Sequence, residues 1–266
     1  MNSAVYEYFQ KRGSDKGEFV DVILLDDESF LSYDDVLKMV SYFPKGWYEL
    51  SRLPILDRIE FTAQYWQTIL PFYPHVNNFL IKFFDRVDDV AVFLTKKQGH
   101  NSFYPELVYS MNNETTFFRG GIPVSDEGLV ILNEQFSGIL PHDYRSFLKI
   151  HNGFAKNQDF GLIKAENLKL FSERMQTSLT DERRAILCGN KKVEPKNLIF
   201  FYQDFDFESF QCFFTDWVPL GEVGNVYFSM RDRTISNCKG CEELEEKLAF
   251  YTFLDWLVFY LEEIEE

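Results

Sequence analysis

The chain has 266 residues, 45% of them hydrophobic and 29 of them phenylalanine, which suits a folded chain with a large interior and excludes a disordered one. Its 42 acidic residues against 27 basic ones give a formal charge of −15, which repels nucleic-acid phosphates and favours a basic protein partner. No apolar leader opens the chain and no run nears the roughly 20 apolar residues of a membrane span, so we expect a cytoplasmic protein with reduced Cys188, Cys212, Cys238 and Cys241.

Residues 1–20 mix tyrosine, charge and glycine without a period and read as a loosely held arm. A β-branched and aliphatic run at 20–25 reads as a strand. Ser32 is an N-cap followed by Asp34 and Asp35, with Val36, Leu37, Val40 and Phe43 as the apolar stripe of a helix that stops at Pro44. The Pro44-Lys45-Gly46 sequence reads as a turn. The spacing predicts a second helix over 56–70 that buries Ile59, Tyr65, Trp66 and Ile69. A third covers 75–84 on Val76, Phe79, Leu80 and Phe83. The period then falls to two, and strands at 87–95, 106–111 and 115–119 form a three-stranded meander. Gly120-Gly121-Ile122-Pro123 is the strongest local break and divides the chain into 1–121 and 122–266.

Beyond the break, Ser125 caps a helix striped by Leu129, Leu132 and Phe136 and ended by Gly138. Residues 140–153 read Leu-Pro-His-Asp-Tyr-Arg-Ser-Phe-Leu-Lys-Ile-His-Asn-Gly. Proline suits the first turn, Asp143 meets the positive helix end, and Tyr144, Phe147, Leu148 and His151 share one face. Gly153 is the expected stop. Short strands follow at 160–164, 197–203, 208–215, 225–230 and 234–236, with 168–192 polar and helix expected only at 181–187. A final helix is expected from Leu244 to Leu261, with Glu242, Glu243, Glu245 and Glu246 in its first turn.

The 140–153 stretch, with Glu134 and Gly138 upstream, resembles the hallmark of the SUKH superfamily, which includes fungal cell-wall regulators and bacterial toxin-immunity proteins. The order of Gly161-Leu162-Ile163, Pro219-Leu220-Gly221 and Phe253-Leu254-Asp255-Trp256-Leu257 is similar too, so the resemblance covers about 125–264. It implies an α+β fold, a SUKH-like antiparallel sheet with flanking helices, preceded by a helical and β-meander region. Where relatives often carry a small glycine-containing turn, this chain has Asp204-Phe205-Asp206-Phe207-Glu208-Ser209.

Two constellations could carry function. Cys238-Lys239-Gly240-Cys241 directly precedes a predicted helix, where a thiolate is stabilised, so it is a thiol redox or metal candidate. It lacks the βαβ context of a redox motif and a second ligand pair, and two ordinary thiols explain it as well. Asp204, Asp206 and Glu208 alternate with Phe205, Phe207 and Phe210, which in a strand puts the carboxylates on one face over a buried aromatic face. That face would meet a basic partner, with Trp217 as a loop anchor. His75, His100, His142 and His151 form no pair; His151 reads as a satisfied, partly buried histidine and His142 as exposed. No nucleophile elbow, phosphate loop or zinc-helix motif occurs, so neither enzyme activity nor a cofactor is expected. The expectation is a non-enzymatic protein-binding module of immunity type, docking a basic toxin domain. A regulatory scaffold and a Cys238/Cys241 redox protein are the alternatives.

Overall fold

A computed structural model describes residues 1–10, 19–26, 30–181, 184–236 and 248–262. The fold is α+β and divides into two compact units, Met1–Pro123 with Phe154–Gln158, and Val124–Gly153 with Asp159–Glu266.

In the first unit, residues 11–18 of the expected loose arm lie outside the described residues, and residues 1–10 are not loose. They form α1 (Ser3–Gln10), whose Val5 and Phe9 are buried. The Asn2 amide donates to the carbonyls of Met111, Asn113 and Thr116, and its side-chain oxygen accepts from the Val5 N–H. Two apolar residues four apart are too few to register as a period, yet Phe9 stacks on Phe93 with ring centroids 4.1 Å apart. Strand β1 (Phe19–Leu25) follows, then α2 (Tyr33–Met39), started by a reciprocal Ser32/Asp35 capping box. Helix α3 (Lys45–Ser51) replaces the expected turn, because Pro44 enters it with φ already fixed and Trp47 finds a buried place.

Helix α4 (Ile55–Ile69) lies where its period put it but is rotated. It buries Arg58, Thr62 and Trp66, while Tyr65 is 46% exposed. The cause is polar. Arg58 pairs with Asp89 at 2.9 Å, and the Trp66 indole N–H donates to the Tyr109 hydroxyl at 2.9 Å. Helix α5 (Pro74–Phe84) buries Val76, Leu80, Phe83 and Phe84.

Strands β2 (Val87–Lys97), β3 (Tyr104–Met111), β4 (Phe117–Gly121) and β5 (Phe154–Lys156) complete an antiparallel sheet in the order β1-β2-β3-β4-β5. Gly120 pairs with Leu107 inside β4, so the first two residues of the expected break are strand, and the units part just after its last residue, Pro123. The middle of β2, residues 90–94, is a continuous apolar run because both faces are covered there. Ala91 and Phe93 join Val108 and Phe117 against α1, while Tyr109 and Phe118 meet Trp66 and Phe83 of α4 and α5 on the other face.

The second unit begins with α6 (Asp126–Gln135), capped by Ser125, and α7 (His142–Leu148). α7 ends five residues before Gly153. Gly153 (φ +81°) forms instead the turn into β5, with Lys164 Cγ 3.0 Å from where a Cβ would stand. β6 (Gly161–Leu162) leads to α8 (Ala165–Asp181), which occupies most of the stretch expected to lack helix, and residues 186–187 are strand. α8 carries Leu168, Ser172 and Leu179 to the core, a sparse stripe hidden by the surrounding charge. β7 (Ile186–Cys188), β8 (Lys191–Val193), β9 (Leu198–Gln203), β10 (Ser209–Phe214), β11 (Asn225–Ser229) and β12 (Thr234–Ile235) follow. The sheet order is β6-β9-β10-β11-β12-β7-β8, antiparallel except for the β12–β7 pair. β13 (Ala249–Phe250) pairs with β11, and α9 (Phe253–Leu261) closes the unit.

α9 starts at its Thr252/Asp255 capping box, so the apolar period does not continue upstream as helix. The expected first turn with Glu242, Glu243, Glu245 and Glu246 lies outside the described residues.

One face of this sheet packs Phe200, Phe210, Cys212 and Phe228 against Phe171 and Met175 of α8. The other packs Phe201 and Phe213 against Tyr144, Phe147, Phe253 and Trp256 of α7 and α9. Asp143 joins the two helices. Its carboxylate is 2% exposed and accepts from the N–H of Tyr144 (2.8 Å) and of Leu254 (3.0 Å), capping α9 from outside.

Burial raises the Asp143 pKa to about 6, against the hydrogen bonds that favour the charged form. The folded state therefore holds a proton that the unfolded chain releases near pH 3.8. The associated stability is present below pH 3.8 and lost as pH rises through about 6. Asp143→Asn removes one acceptor, so we expect it to destabilise by about 1–3 kcal/mol near pH 4. The gap between variant and wild type narrows by up to about 3 kcal/mol by pH 7. Urea titrations at pH 4, 5, 6 and 7 check this; a pH-independent gap counts against a strained buried carboxylate.

Candidate partner-docking site

β9 and β10 are joined by residues 204–208, where a strand with a buried aromatic face was expected. The structure makes this a tight loop. The Asp204 N–H donates to the Ser209 carbonyl (2.9 Å) and the Phe207 N–H to the Asp204 carbonyl (3.3 Å). Asp204 Oδ1 accepts from the Phe205 N–H (2.6 Å) and Asp206 Oδ1 from the Glu208 N–H (2.8 Å). These side chain-to-backbone bonds compete with ladder hydrogen bonds and turn the chain, which is why an alternating sequence does not continue as strand here. The consequence is an inversion of the expected burial. Phe205 and Phe207 are 60% and 58% exposed, and only Phe210, inside β10, reaches the core.

Phe207 also has φ +61°. A left-handed residue with a bulky Cβ costs about 1–2 kcal/mol, and glycine or asparagine is the usual occupant. A phenylalanine there is neither buried nor relaxed. Its ring instead meets Phe160, half-exposed beside β6, with centroids 4.4 Å apart.

Behind these rings sits Asp159. Its Oδ2 accepts hydrogen bonds from the hydroxyls of Tyr202 (2.5 Å) and Tyr260 (3.0 Å). A bulge in β9 makes this possible: Gln211 pairs with Tyr202 but Cys212 with Phe200, so Phe201 and Tyr202 both turn to α9. The Tyr202 ring contacts Trp256 and Tyr260 at 5.2 and 5.1 Å. Burial first, and then the Asp204 charge, raise the Asp159 pKa to about 6, while the two hydroxyls oppose the shift. Burial, with Tyr260 and Asp159 beside it, pushes the Tyr202 phenol well up, so both tyrosines act as donors that brace the floor of the site. Sequence reading missed Asp159, Phe160, Tyr202 and Tyr260, which converge from three separate elements with no shared spacing.

Trp217 does not belong to this surface. The six residues of β10 put about 20 Å between its loop and residues 204–208. Nor is it an exposed anchor. It is 7% exposed, packs in the core with Phe214 and Val226, and touches Tyr251 at 5.7 Å. Loop position suggested exposure, but Gly224 leaves a flat gap that the indole fills.

Elsewhere the expected sites are bland. His142 is exposed, as expected, and His151 is fully buried beside Phe147, further in than the partial burial expected for it. Cys212 is buried and its thiol pKa is pushed up by that burial, away from reactivity. Cys238 and Cys241 lie outside the described residues. Among the described residues no group of three His, Cys, Asp or Glu could hold a metal, and no helix is long and apolar enough to cross a membrane.

No curated protein matches this sequence. The profile of the SMI1 / KNR4 family (SUKH-1) matches residues 123–257, just over half of the chain. That span runs from the turn before α6 to the core face of α9, and it includes the α6–α7 corner, the Asp143 cap and the β9–β10 hairpin. The chain therefore belongs to the SMI1 / KNR4 family (SUKH-1).

Proposed function

We propose that the protein is a non-enzymatic binding module of immunity type, which docks and neutralises a basic toxin domain through the tip of the β9–β10 hairpin. One observation carries the reading: a left-handed, exposed Phe207 contacts Phe160 in a loop that also bears Asp204, Asp206 and Glu208. Exposed aromatic side chains in a contiguous patch mark interaction sites, and aromatic anchors carry most of the energy of an interface. The carboxylates would speed association with a positively charged partner and set its orientation. The net charge of −15 acts in the same direction over longer range. Family membership supports a protein partner over a small substrate.

The test uses the full chain as bait in extracts of its source organism, alongside the double variant Phe205→Ser/Phe207→Gly. Glycine relieves the left-handed strain, so we expect the variant's urea midpoint to equal or exceed that of wild type, by up to about 1 kcal/mol. Wild type should recover a basic protein that elutes with salt, and the variant should lose at least nine-tenths of it. Undiminished recovery by the variant would remove the hairpin from the interface.

A further inference from the structure

Resting on that docking surface, we propose that the partner side chain it selects is arginine, presented on an exposed loop of a basic protein, and that lysine is discriminated against. The sequence Asp204-Phe205-Asp206-Phe207-Glu208 places each exposed ring between two carboxylates within one tight loop. Asp206 Oδ1 is occupied by the Glu208 N–H, but the carboxylates of Asp204, Asp206 and Glu208 enter no ion pair among the described residues. The adjacent turn adds Arg231 and Asp232, whose charges cancel. Phe160 and Phe207 meet at an interplanar angle of 48°, and with Phe160 49% and Phe207 58% exposed, much of each ring remains open to a partner.

This combination matches a guanidinium in two respects. A flat, weakly hydrated cation stacks on a ring face without losing much water, and its in-plane N–H groups then reach carboxylates at the ring edge two at a time. A lysine ammonium is a compact, strongly hydrated point charge. It would gain the charge attraction but neither the stacking nor the paired hydrogen bonds. A carboxylate loop without rings would offer the paired hydrogen bonds alone, with no face to hold the guanidinium flat, so three phenylalanines held at the surface are what strengthen the discrimination.

The probes are acetyl-(Gly-Arg)3-amide and acetyl-(Gly-Lys)3-amide, equal in charge and length, titrated into the 15N-labelled full chain at low salt. We expect both peptides to shift amide signals of residues 159–161 and 204–208. The arginine peptide should bind about fivefold more tightly, as one exposed cation–π contact allows. Phe205→Ser/Phe207→Gly should bring the arginine peptide most of the way down to the lysine level, whereas Asp206→Asn/Glu208→Gln should weaken both peptides, the arginine peptide by more because it also loses paired hydrogen bonds. Equal affinity of the two peptides at the hairpin overturns the arginine selection and leaves the docking surface standing. Absence of any shift at the hairpin with either peptide overturns both.

Discussion

Replacing Arg58 by alanine is expected to lower the unfolding free energy by about 3–5 kcal/mol, the cost of breaking a buried ion pair from one side. Arg58 is 8% exposed and its partner Asp89 5%. The guanidinium lies 2.9 Å from Asp89 Oδ1, while the Met1 amino group is 4.0 Å from the other carboxylate oxygen and too far for a hydrogen bond. Burial already raises the Asp89 pKa, with Arg58 the largest opposing influence. Without Arg58 the carboxyl is pushed further up, so the deficit should be largest at pH 7 and shrink toward pH 4, where the orphaned group takes a proton. The Arg58→Met/Asp89→Leu double variant separates a lost attraction from a stranded charge. It removes both charges in similar volume, and we expect it to recover most of the stability. Urea denaturation at the two pH values reads all three proteins. A single-variant loss below about 1 kcal/mol would mean that water reaches Asp89 freely.

The same pair explains how far the first unit was legible. The period of α4 was visible from Ile59, Trp66 and Ile69, and the helix is there. Its rotation was not visible, because an arginine scores as solvent-facing until a buried aspartate thirty-one residues away is known. Long-range polar partners are the information that a local pattern lacks. The meander strands were legible because β2 and β3 are rich in β-branched and aromatic residues. The return of 154–158 to that sheet was not, since three residues carry no period and Gly153 signalled only a stop. In the second unit the helix corner was read from Ser125, Pro141 and Asp143, which act through local backbone chemistry. The candidate site was half legible. Alternation at 204–208 drew notice, but the loop that exposes Phe205 and Phe207 depends on Asp204 and Asp206 bonding to their own backbone. Such bonds defeat a period-two pattern without leaving a glycine to mark the turn.

Gly224→Ala is expected to destabilise the protein by about 3 kcal/mol, near the top of the range for overpacking a filled core. A Cβ at this position would stand 2.4 Å from Trp217 Cε3 and 2.5 Å from Cζ3. The ring cannot swing aside cheaply, because it is 7% exposed and part of the same buried core as Phe214 and Val226. The backbone cannot yield cheaply either. The Gly224 N–H donates to the Trp217 carbonyl (2.9 Å) and its carbonyl accepts from the Phe214 N–H (3.0 Å), so glycine and indole are clasped by the same short loop. The predicted loss is thus steric and belongs to one pair. Trp217→Leu alone should cost about 2–4 kcal/mol through lost packing, but adding Gly224→Ala to it should cost less than about 1 kcal/mol, since the smaller side chain leaves room for the methyl group. Urea titrations followed by far-ultraviolet dichroism measure the four proteins on one scale. Additive losses in the double variant would show that Gly224 is required for its backbone and not for the indole above it, and the assignment of Trp217 to the core would then lose its strongest support.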